Sequence, residues 1–247
     1  MMQRRSRLPG MNKKDGFLPH PFDSENGVRT SGLVAGRHLK TGSPHDRHTT
    51  AYYGIAPSVF RALVRRWRRI RPARLIEETT FLDVGAGMGR AVLLASEMPF
   101  RKVIGVEMHP ALTRIARSNL ALWRREGRAL VPARVTQADA VAFPFPAGPC
   151  VAFLFNPFGA VVMRRFLRHA ALSFQQRPGE LDLLYVNNEQ DGVLEQQRGF
   201  VRYFQGEIKR SRSDARADHA ILTNQPDGEY ASADHEDCSI WRWVGRE

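Results

Sequence analysis

The chain has 247 residues, of which 43% are hydrophobic and 25% are charged, and its formal net charge is +12. This composition suits one globular α/β domain and argues against a fully disordered chain or two complete domains. No apolar run reaches the ~18 residues that a membrane span needs. Two isolated cysteines, Cys150 and Cys238, provide neither a disulfide framework nor a zinc-binding spacing, so we expect a reducing, cytoplasmic location and no metal site.

The positive charge is concentrated in the first third of the chain. Residues 1–76 contain 16 Lys/Arg and 4 Asp/Glu, which accounts for the whole net charge of +12. Residues 1–48 are rich in Gly, Pro, Ser and His and show no hydrophobic period, so they are predicted to form a basic, partly disordered arm without a core. Such an arm is either a solvated tail or a contact for an acidic partner such as nucleic acid, an anionic membrane surface or an acidic protein.

The stretch "PSVFRALVRRWRRI", which begins at Pro57, is typical of an amphipathic helix. Its apolar residues recur at helical spacing, and Pro57 suits a first turn. The arginines on the other face are predicted to be solvated or to dock a polyanion.

From Thr79 onward, short apolar runs alternate with helical stretches. This alternation is typical of a mainly parallel sheet with helices on both faces. We therefore assign residues 49–247 to one domain, with 211–237 as a polar, partly disordered insertion. Either "HAILTN" or "CSIWRW" supplies a last antiparallel strand, and the second is favoured.

The stretch "FLDVGAGMGR", residues 81–90, joins the first strand of this pattern to a helix. Glycines at 85, 87 and 89 permit positive φ angles and leave room for a ligand, and the following helix start favours an anion. A dinucleotide loop of the form G-x-G-x-x-G requires glycine at position 90, where this chain has Arg90. The lysine of a nucleotide-hydrolysing P-loop is absent as well.

The order D-x-G-x-G-x-G resembles the cofactor loop of class I S-adenosylmethionine-dependent methyltransferases. That resemblance implies a Rossmann-like, mainly parallel seven-stranded sheet and S-adenosyl-L-methionine as the cofactor. It also implies that Asp83 orients the loop and the methionine ammonium, and that Glu107 binds both ribose hydroxyls through charge-assisted hydrogen bonds. Further matches are Asp139 near the adenine amino group, Ala140 beside it, and Met108 and His109 flanking the adenine.

The stretch "FLFNPFG" is expected to place Asn156, Pro157 and Phe158 beside the sulfonium. It is similar to the Asn-Pro-Pro-aromatic motif of adenine amino-methyltransferases, although the second proline is missing. It also resembles the strand end of the disruptor-of-telomeric-silencing class of lysine methyltransferases. The upstream "AYYGIAPSVF", with Tyr53 and Pro57, is similar to a loop of that class, so the resemblance favours a protein amine, a lysine side chain, as the acceptor.

In-line positioning at about 3 Å does most of the work in such a transfer. The Asn156 carbonyl is predicted to accept a hydrogen bond from the neutral amine, while Phe158 and Tyr53 exclude water. Asn187 and Asn188, at the end of the fifth strand, either line the acceptor site or form a turn.

Two alternatives remain open at this stage. The first is a nucleic-acid base amino-methyltransferase that uses the basic arm to contact phosphates. The second is a non-catalytic module with the same fold, which binds a polyanion through the arm and the arginine-rich helix.

Overall fold

The computed structural model describes residues 18–70, 72–224 and 233–245. Its centre is a seven-stranded sheet with the order β3-β2-β1-β4-β5-β7-β6. The five strands from β3 to β5 run parallel, and β7 is antiparallel to both β5 and β6. The strands are β1 Thr80–Val84, β2 Lys102–Glu107, β3 Ala133–Gln137, β4 Cys150–Phe155, β5 Leu181–Val186, β6 Phe200–Lys209 and β7 His235–Trp243.

Helices cover both faces of the sheet, as the alternating pattern predicts. Buried side chains of α2, α3 and α4 form one hydrophobic core with one face of the strands, and α5 and α6 pack on the other face. The helices are α1 Pro21–Asn26, α2 Pro57–Arg69, α3 Arg90–Ser96, α4 Pro110–Arg125, α5 Ala160–Ser173, α6 Asp191–Glu195 and α7 Arg212–Thr223. Among the described residues, no helix is long and apolar enough to cross a membrane.

The central strands are buried on both sides, which explains why their sequences are apolar along their whole length. All five residues of β1 are buried, and Phe81 packs in one core while Leu82 and Val84 pack in the other. The parallel register pairs Val84 with Val106 of β2 and Leu154 of β4. Loops that follow these three strands therefore meet at the same edge of the sheet, which is where open α/β sheets bind ligands.

The favoured last strand is confirmed. "CSIWRW" lies in β7 and pairs antiparallel with β5, while "HAILTN" lies mostly in α7. The predicted polar insertion 211–237 thus contains a 12-residue helix and the start of β7. Its residues 225–232 lie outside the described part of the chain. The predicted amphipathic helix at residue 57 is confirmed as α2, with Val59, Phe60, Leu63, Val64 and Trp67 buried.

The expectation that residues 1–48 contribute nothing to a core is wrong for residues 18–48. Phe22 of α1 lies 5.7 Å from Trp123 of α4, measured between ring centroids, and Val34 pairs with Tyr52 in an isolated β-bridge. The segment's buried apolar residues, among them Phe22, Val28, Val34 and Leu39, are irregularly spaced, and polar contacts of the buried Asp23 carboxylate with Thr30, Ser31 and Arg90 add to them. Residues 1–17 lie outside the described residues. We refer to residues 18–56 as the N-terminal segment.

Candidate functional site

The glycine loop after β1 is shaped by close contacts that only glycine permits. Gly85 and Gly87 have φ angles of 77° and 54°. A Cβ atom on Gly87 would lie 2.2 Å from Cε2 of Tyr52, and one on Gly85 would lie 2.7 Å from Cβ of Pro157. Positive φ and lack of space both require glycine at these two positions. Gly89, with a φ of 89°, caps α3 and packs against Ala116 of α4 rather than lining the cleft.

Glu107, the last residue of β2, connects the loops after β1 and β2. Its Oε2 accepts a hydrogen bond of 2.8 Å from the Gly87 N–H, and its Oε1 accepts one of 2.7 Å from the His109 N–H. Burial raises the pKa of this carboxyl group, and the backbone donors oppose that rise. The carboxylate faces the cleft, so its remaining lone pairs are available to a ligand there.

Asp83 lies at the floor of the same cleft, next to the end of β1. Its side chain is buried. This burial is the main cause that raises its pKa to about 8, and the negative charge of the nearby Glu107 adds to the rise. A cationic ligand beside Asp83 would favour the ionised form of its carboxyl group.

Asp139, in the loop after β3, is held from two sides. Its Oδ1 accepts a hydrogen bond from the Val141 N–H (2.9 Å), and its Oδ2 lies 2.8 Å from Nδ1 of His45. Nε2 of His45 lies 2.9 Å from the Arg165 guanidinium on α5. The N-terminal segment, which was predicted to be an arm, therefore contributes a side chain to the cleft.

The structure brings most of the predicted residues into this one cleft. Ten of them line it: Tyr53, Asp83, Gly85, Gly87, Glu107, Met108, Asp139, Ala140, Pro157 and Phe158. His109 lines it too, and its ring Nδ1 is buried without a hydrogen-bond partner.

Asn156 is located differently from the prediction, because it lines an adjacent cavity of about 450 Å³. Its φ is 38°, its Oδ1 accepts from the Tyr185 hydroxyl (3.3 Å), and its backbone carbonyl accepts from the Thr50 hydroxyl. We call this space the acceptor cavity. It shares Thr50, Ala51, Tyr53 and Phe155 with the cleft, so the two spaces are adjacent. Polar groups on its wall are Asn187, Glu189, Arg210, His235, Glu236 and Asp237.

Tyr53 stands between the cleft and the acceptor cavity, and its hydroxyl is already engaged. It donates a 2.6 Å hydrogen bond to Oδ1 of Asp218 on α7, and burial raises its pKa further above the usual value. Arg210 forms ion pairs with Asp218, at 3.2 Å, and with Glu236. None of these three partners could be identified from the sequence, since single polar residues so far along the chain from Tyr53 (165 positions for Asp218) carry no periodic signal.

Arg90, which replaces the third glycine of a dinucleotide loop, fastens the N-terminal segment to the core. Its buried guanidinium donates to the Thr30 hydroxyl (2.6 Å), the Ser31 hydroxyl (3.1 Å) and the Gly54 carbonyl (3.0 Å), and lies 3.6 Å from the Asp23 carboxylate. Asp23 in turn accepts from the backbone N–H groups of Thr30 and Ser31. Arg90 is therefore a structural anchor for the wall of the cleft, a role that the motif comparison did not reveal.

Among the described residues, one exposed group brings possible metal ligands together. The ligand atoms of Glu207, His235 and Asp237 lie within 4.8 Å of one another at the edge of the β6–β7 hairpin. Nδ1 of His235 already lies 3.0 Å from Oδ1 of Asp234, and none of the three side chains is buried. It adds negative charge beside the acceptor cavity.

No protein-family model and no curated protein matches the chain. Solved structures do resemble it. The [4+2]-cyclase SpnF is 14% identical, with a TM-score of 0.54 over 76% of this chain and 82% of its own. TrmN from Thermus thermophilus is 19% identical, with a TM-score of 0.50 over 77% of this chain and 49% of its own. An RNA methyltransferase from Salinibacter ruber, in complex with S-adenosyl-L-homocysteine, is 15% identical, with a TM-score of 0.43 over 76% and 92%. At these identities the likeness to the first two structures shows a shared Rossmann-like fold.

Proposed function

We propose that the protein is an S-adenosylmethionine-dependent methyltransferase. The observation that supports this most is the position of Glu107, whose two carboxylate oxygens are held by the N–H groups of Gly87 and His109 at the edge of a cleft. A carboxylate oriented in this way, beside a glycine loop, matches the arrangement that the family resemblance implies for gripping two ribose hydroxyls.

The residues in the cleft fit the proposed cofactor. Glycines at 85 and 87 let the loop lie directly against Pro157 and Tyr52 at the edge of the cleft, and His109 lines the same cleft with the adenine-flanking Met108. Asp83 would neutralise the methionine ammonium, and Asp139 would accept from the adenine amino group. When bound, S-adenosylmethionine supplies a methyl group on a positively charged sulfur, which is an activated leaving group.

The protein's contribution to transfer is positioning. An acceptor in the acceptor cavity would lie next to the cleft, on the other side of Tyr53 and Phe155, which line both spaces. Tyr53 is not the base, because its hydroxyl donates to Asp218 and its pKa is raised; it serves as a wall that excludes water. The amide oxygen of Asn156 and the carboxylates of Glu189 and Asp237 are hydrogen-bond acceptors, which suits a substrate that presents an amino group.

Two acceptor classes fit an amino group, and each has an observation in its favour. The acidic side chains around the acceptor cavity would attract a lysine ammonium, the acceptor implied by the Tyr53–Pro57 loop. The Asn-Pro-Phe sequence at the end of β4 suits an amino-bearing base in nucleic acid. None of the three solved structures described above is named as a lysine methyltransferase.

Calorimetry with S-adenosylmethionine tests the proposed function. We expect Glu107→Ala to weaken binding by at least about 100-fold, because two charge-assisted hydrogen bonds of about 1.5–3 kcal/mol each are lost. Glu77→Ala, at an exposed acid in the same charge class, is the matched control and should bind normally. Absence of binding to the unaltered protein, or equal binding by both variants, would contradict the proposal.

Transfer itself is tested with cofactor that carries a labelled methyl group. The protein is incubated with cell extract, and the products are then digested separately with protease and with nuclease. Label that one digestion releases identifies an enzyme and its acceptor class. Tight cofactor binding without labelled product from any fraction would indicate the non-catalytic module instead.

A further inference from the structure

We propose that a basic surface beside the cleft docks the phosphates of a single-stranded nucleic acid, so that the acceptor is one of its bases. This surface, the basic rim, consists of exposed residues of the N-terminal segment and of α5: Lys40, Arg47, Arg164, Arg165 and Arg168. The proposal rests on the proposed methyltransferase function and names its substrate class.

The basic rim adjoins the cofactor cleft directly. Thr49 lines both the cleft and the shallow groove that contains Lys40 and Arg47. Arg165 reaches Asp139 through His45, by contacts of 2.9 Å and 2.8 Å. The Gly159 N–H, just before α5, donates to the His48 carbonyl (2.9 Å), so the loop and the helix form one continuous wall.

The charge of the rim is strongly positive. Asp46, an acid beside it, accepts from the Thr41 N–H and hydroxyl and from the Gly42 N–H, which lowers its pKa and keeps it ionised. Asp139, which contacts His45, is the second acid next to the rim. The five cationic side chains outnumber these two acids, which favours an anionic partner and repels a lysine-rich peptide.

The arginines of α2, which the sequence suggested as a polyanion surface, lie too far from the chemistry to guide an acceptor. The helix starts at the cleft with Pro57, but Nε1 of Trp67 donates to Asp182 at the beginning of β5 (2.7 Å), which is the opposite edge of the sheet. Thirteen helical residues span about 20 Å. Arg65, Arg68 and Arg69 are exposed at this far end and serve as an internal comparison for the rim.

The acceptor cavity suits an unstacked base on a strand whose backbone follows the rim. Its volume is about 450 Å³, and its wall offers oxygen acceptors from Asn156, Glu189 and Asp237. Exocyclic amino groups of bases are donors that such oxygens recognise, and enzymes that modify bases take them out of the stack. Phosphate contacts then set the position of the strand, while the cavity selects the base.

Fluorescence anisotropy with labelled 20-nucleotide single strands, one of RNA and one of DNA, tests this proposal on the full chain. A rim variant, Lys40→Glu with Arg47→Glu and Arg164→Glu, is compared with an α2 variant, Arg65→Glu with Arg68→Glu and Arg69→Glu. Both change the net charge equally. We expect the rim variant to bind at least about tenfold more weakly than the α2 variant. The slope of log K against log salt concentration should also be smaller for the rim variant, by about 2, because fewer phosphates are contacted.

The outcomes separate this proposal from the one on which it rests. The rim variant should bind S-adenosylmethionine as tightly as the unaltered protein does. If the unaltered protein did not bind S-adenosylmethionine at all, the methyltransferase proposal would fail, whatever the oligonucleotide result. Equal losses of oligonucleotide binding in the two variants, or no binding of either strand, would overturn the basic rim. Methyl label that protease removes and nuclease does not would overturn it as well, in favour of a protein acceptor. Whichever of the two strands binds more strongly, RNA or DNA, identifies the kind of nucleic acid that the basic rim recognises.

Discussion

The two halves of the candidate site are built in different ways. The cofactor half uses backbone groups at neighbouring strand ends: Glu107 is held by two main-chain N–H groups, and its partners are at most 20 residues away. The acceptor half uses side chains from remote segments, and Tyr53 meets Asp218 across 165 residues. The Glu107 contacts are thus a consequence of the sheet, whereas the outer wall of the cleft and the acceptor half depend on whether the N-terminal segment and α7 stay in place.

Replacing Arg90 with methionine should have the largest effect on the parts of the site that the N-terminal segment builds. The change removes five polar contacts and leaves the buried Asp23 carboxylate without its cation, which costs about 3–5 kcal/mol of unfolding free energy. We expect proteolytic cleavage within residues 18–56 before cleavage of the sheet. Urea denaturation and limited proteolysis measure both effects.

Arg61→Met is the control for that experiment. Arg61 pairs with Glu97 at 3.6 Å, but its side chain is 43% exposed, so the loss should be below about 1 kcal/mol. Similar losses for the two variants would mean that the N-terminal segment is held by something other than Arg90.

Gly87→Ala should damage the cofactor half. A Cβ there meets the Tyr52 ring at 2.2 Å on backbone with a φ of 54°, so strain and overpacking together cost about 2–5 kcal/mol. S-adenosylmethionine affinity measured by calorimetry should fall with it.

Gly127→Ala isolates the backbone contribution. Gly127 has a φ of 68° but nothing within 4 Å of the added Cβ, so only about 1–2 kcal/mol is expected, with normal cofactor affinity. If Gly127→Ala were as harmful as Gly87→Ala, the contact with Tyr52 would be irrelevant.

Asp83 gives the cofactor half a distinctive pH dependence. Its pKa is about 8 in the folded chain and near 3.8 when unfolded, so the folded state holds the extra proton between these values. Stability of the cofactor-free protein should therefore fall as pH rises through this window, and Asp83→Asn should remove that part of the fall. Urea unfolding at several pH values measures it.

Cofactor binding should lower the pKa of Asp83 again, because the methionine ammonium favours the ionised carboxylate, so Asp83 should release its extra proton. At pH 7 we expect release of up to about one proton per cofactor bound, measured by calorimetry in buffers of different ionisation enthalpy. Unchanged proton release in Asp83→Asn would show that another group is responsible.

His20 in the N-terminal segment should show the opposite, and smaller, pH dependence. Burial and the nearby Arg90 lower its pKa to about 4, against the attraction of Asp214 and Asp23. The unfolded chain then binds more protons between pH 4 and 6.5, so this contribution to stability is lost as pH falls through that range. His20→Gln should flatten the acid limb of stability against pH, and an unchanged limb would contradict the assignment.

Much of the fold could be predicted from the sequence. The alternation of buried strands and amphipathic helices specified a parallel sheet covered on both faces, and β7 and α2 lie where the patterns placed them. The glycine loop and an acid at or near the end of each of β1, β2 and β3 were also predictable, since parallel strands deliver their loops to one edge. The roles assigned to these residues in binding the cofactor stay predictions.

The remainder was decided by tertiary structure. Residues 18–48 read as an arm because many of their contacts are polar, such as that of Asp23 with Arg90, and polar contacts of this kind leave no hydrophobic period in a sequence. Asn156 turned toward Tyr185 and the acceptor cavity, and α7 brought Asp218 to Tyr53. Periodic burial and strand order are local, repeated signals that a sequence carries by itself, whereas a network of single polar residues exists only after distant segments have packed together.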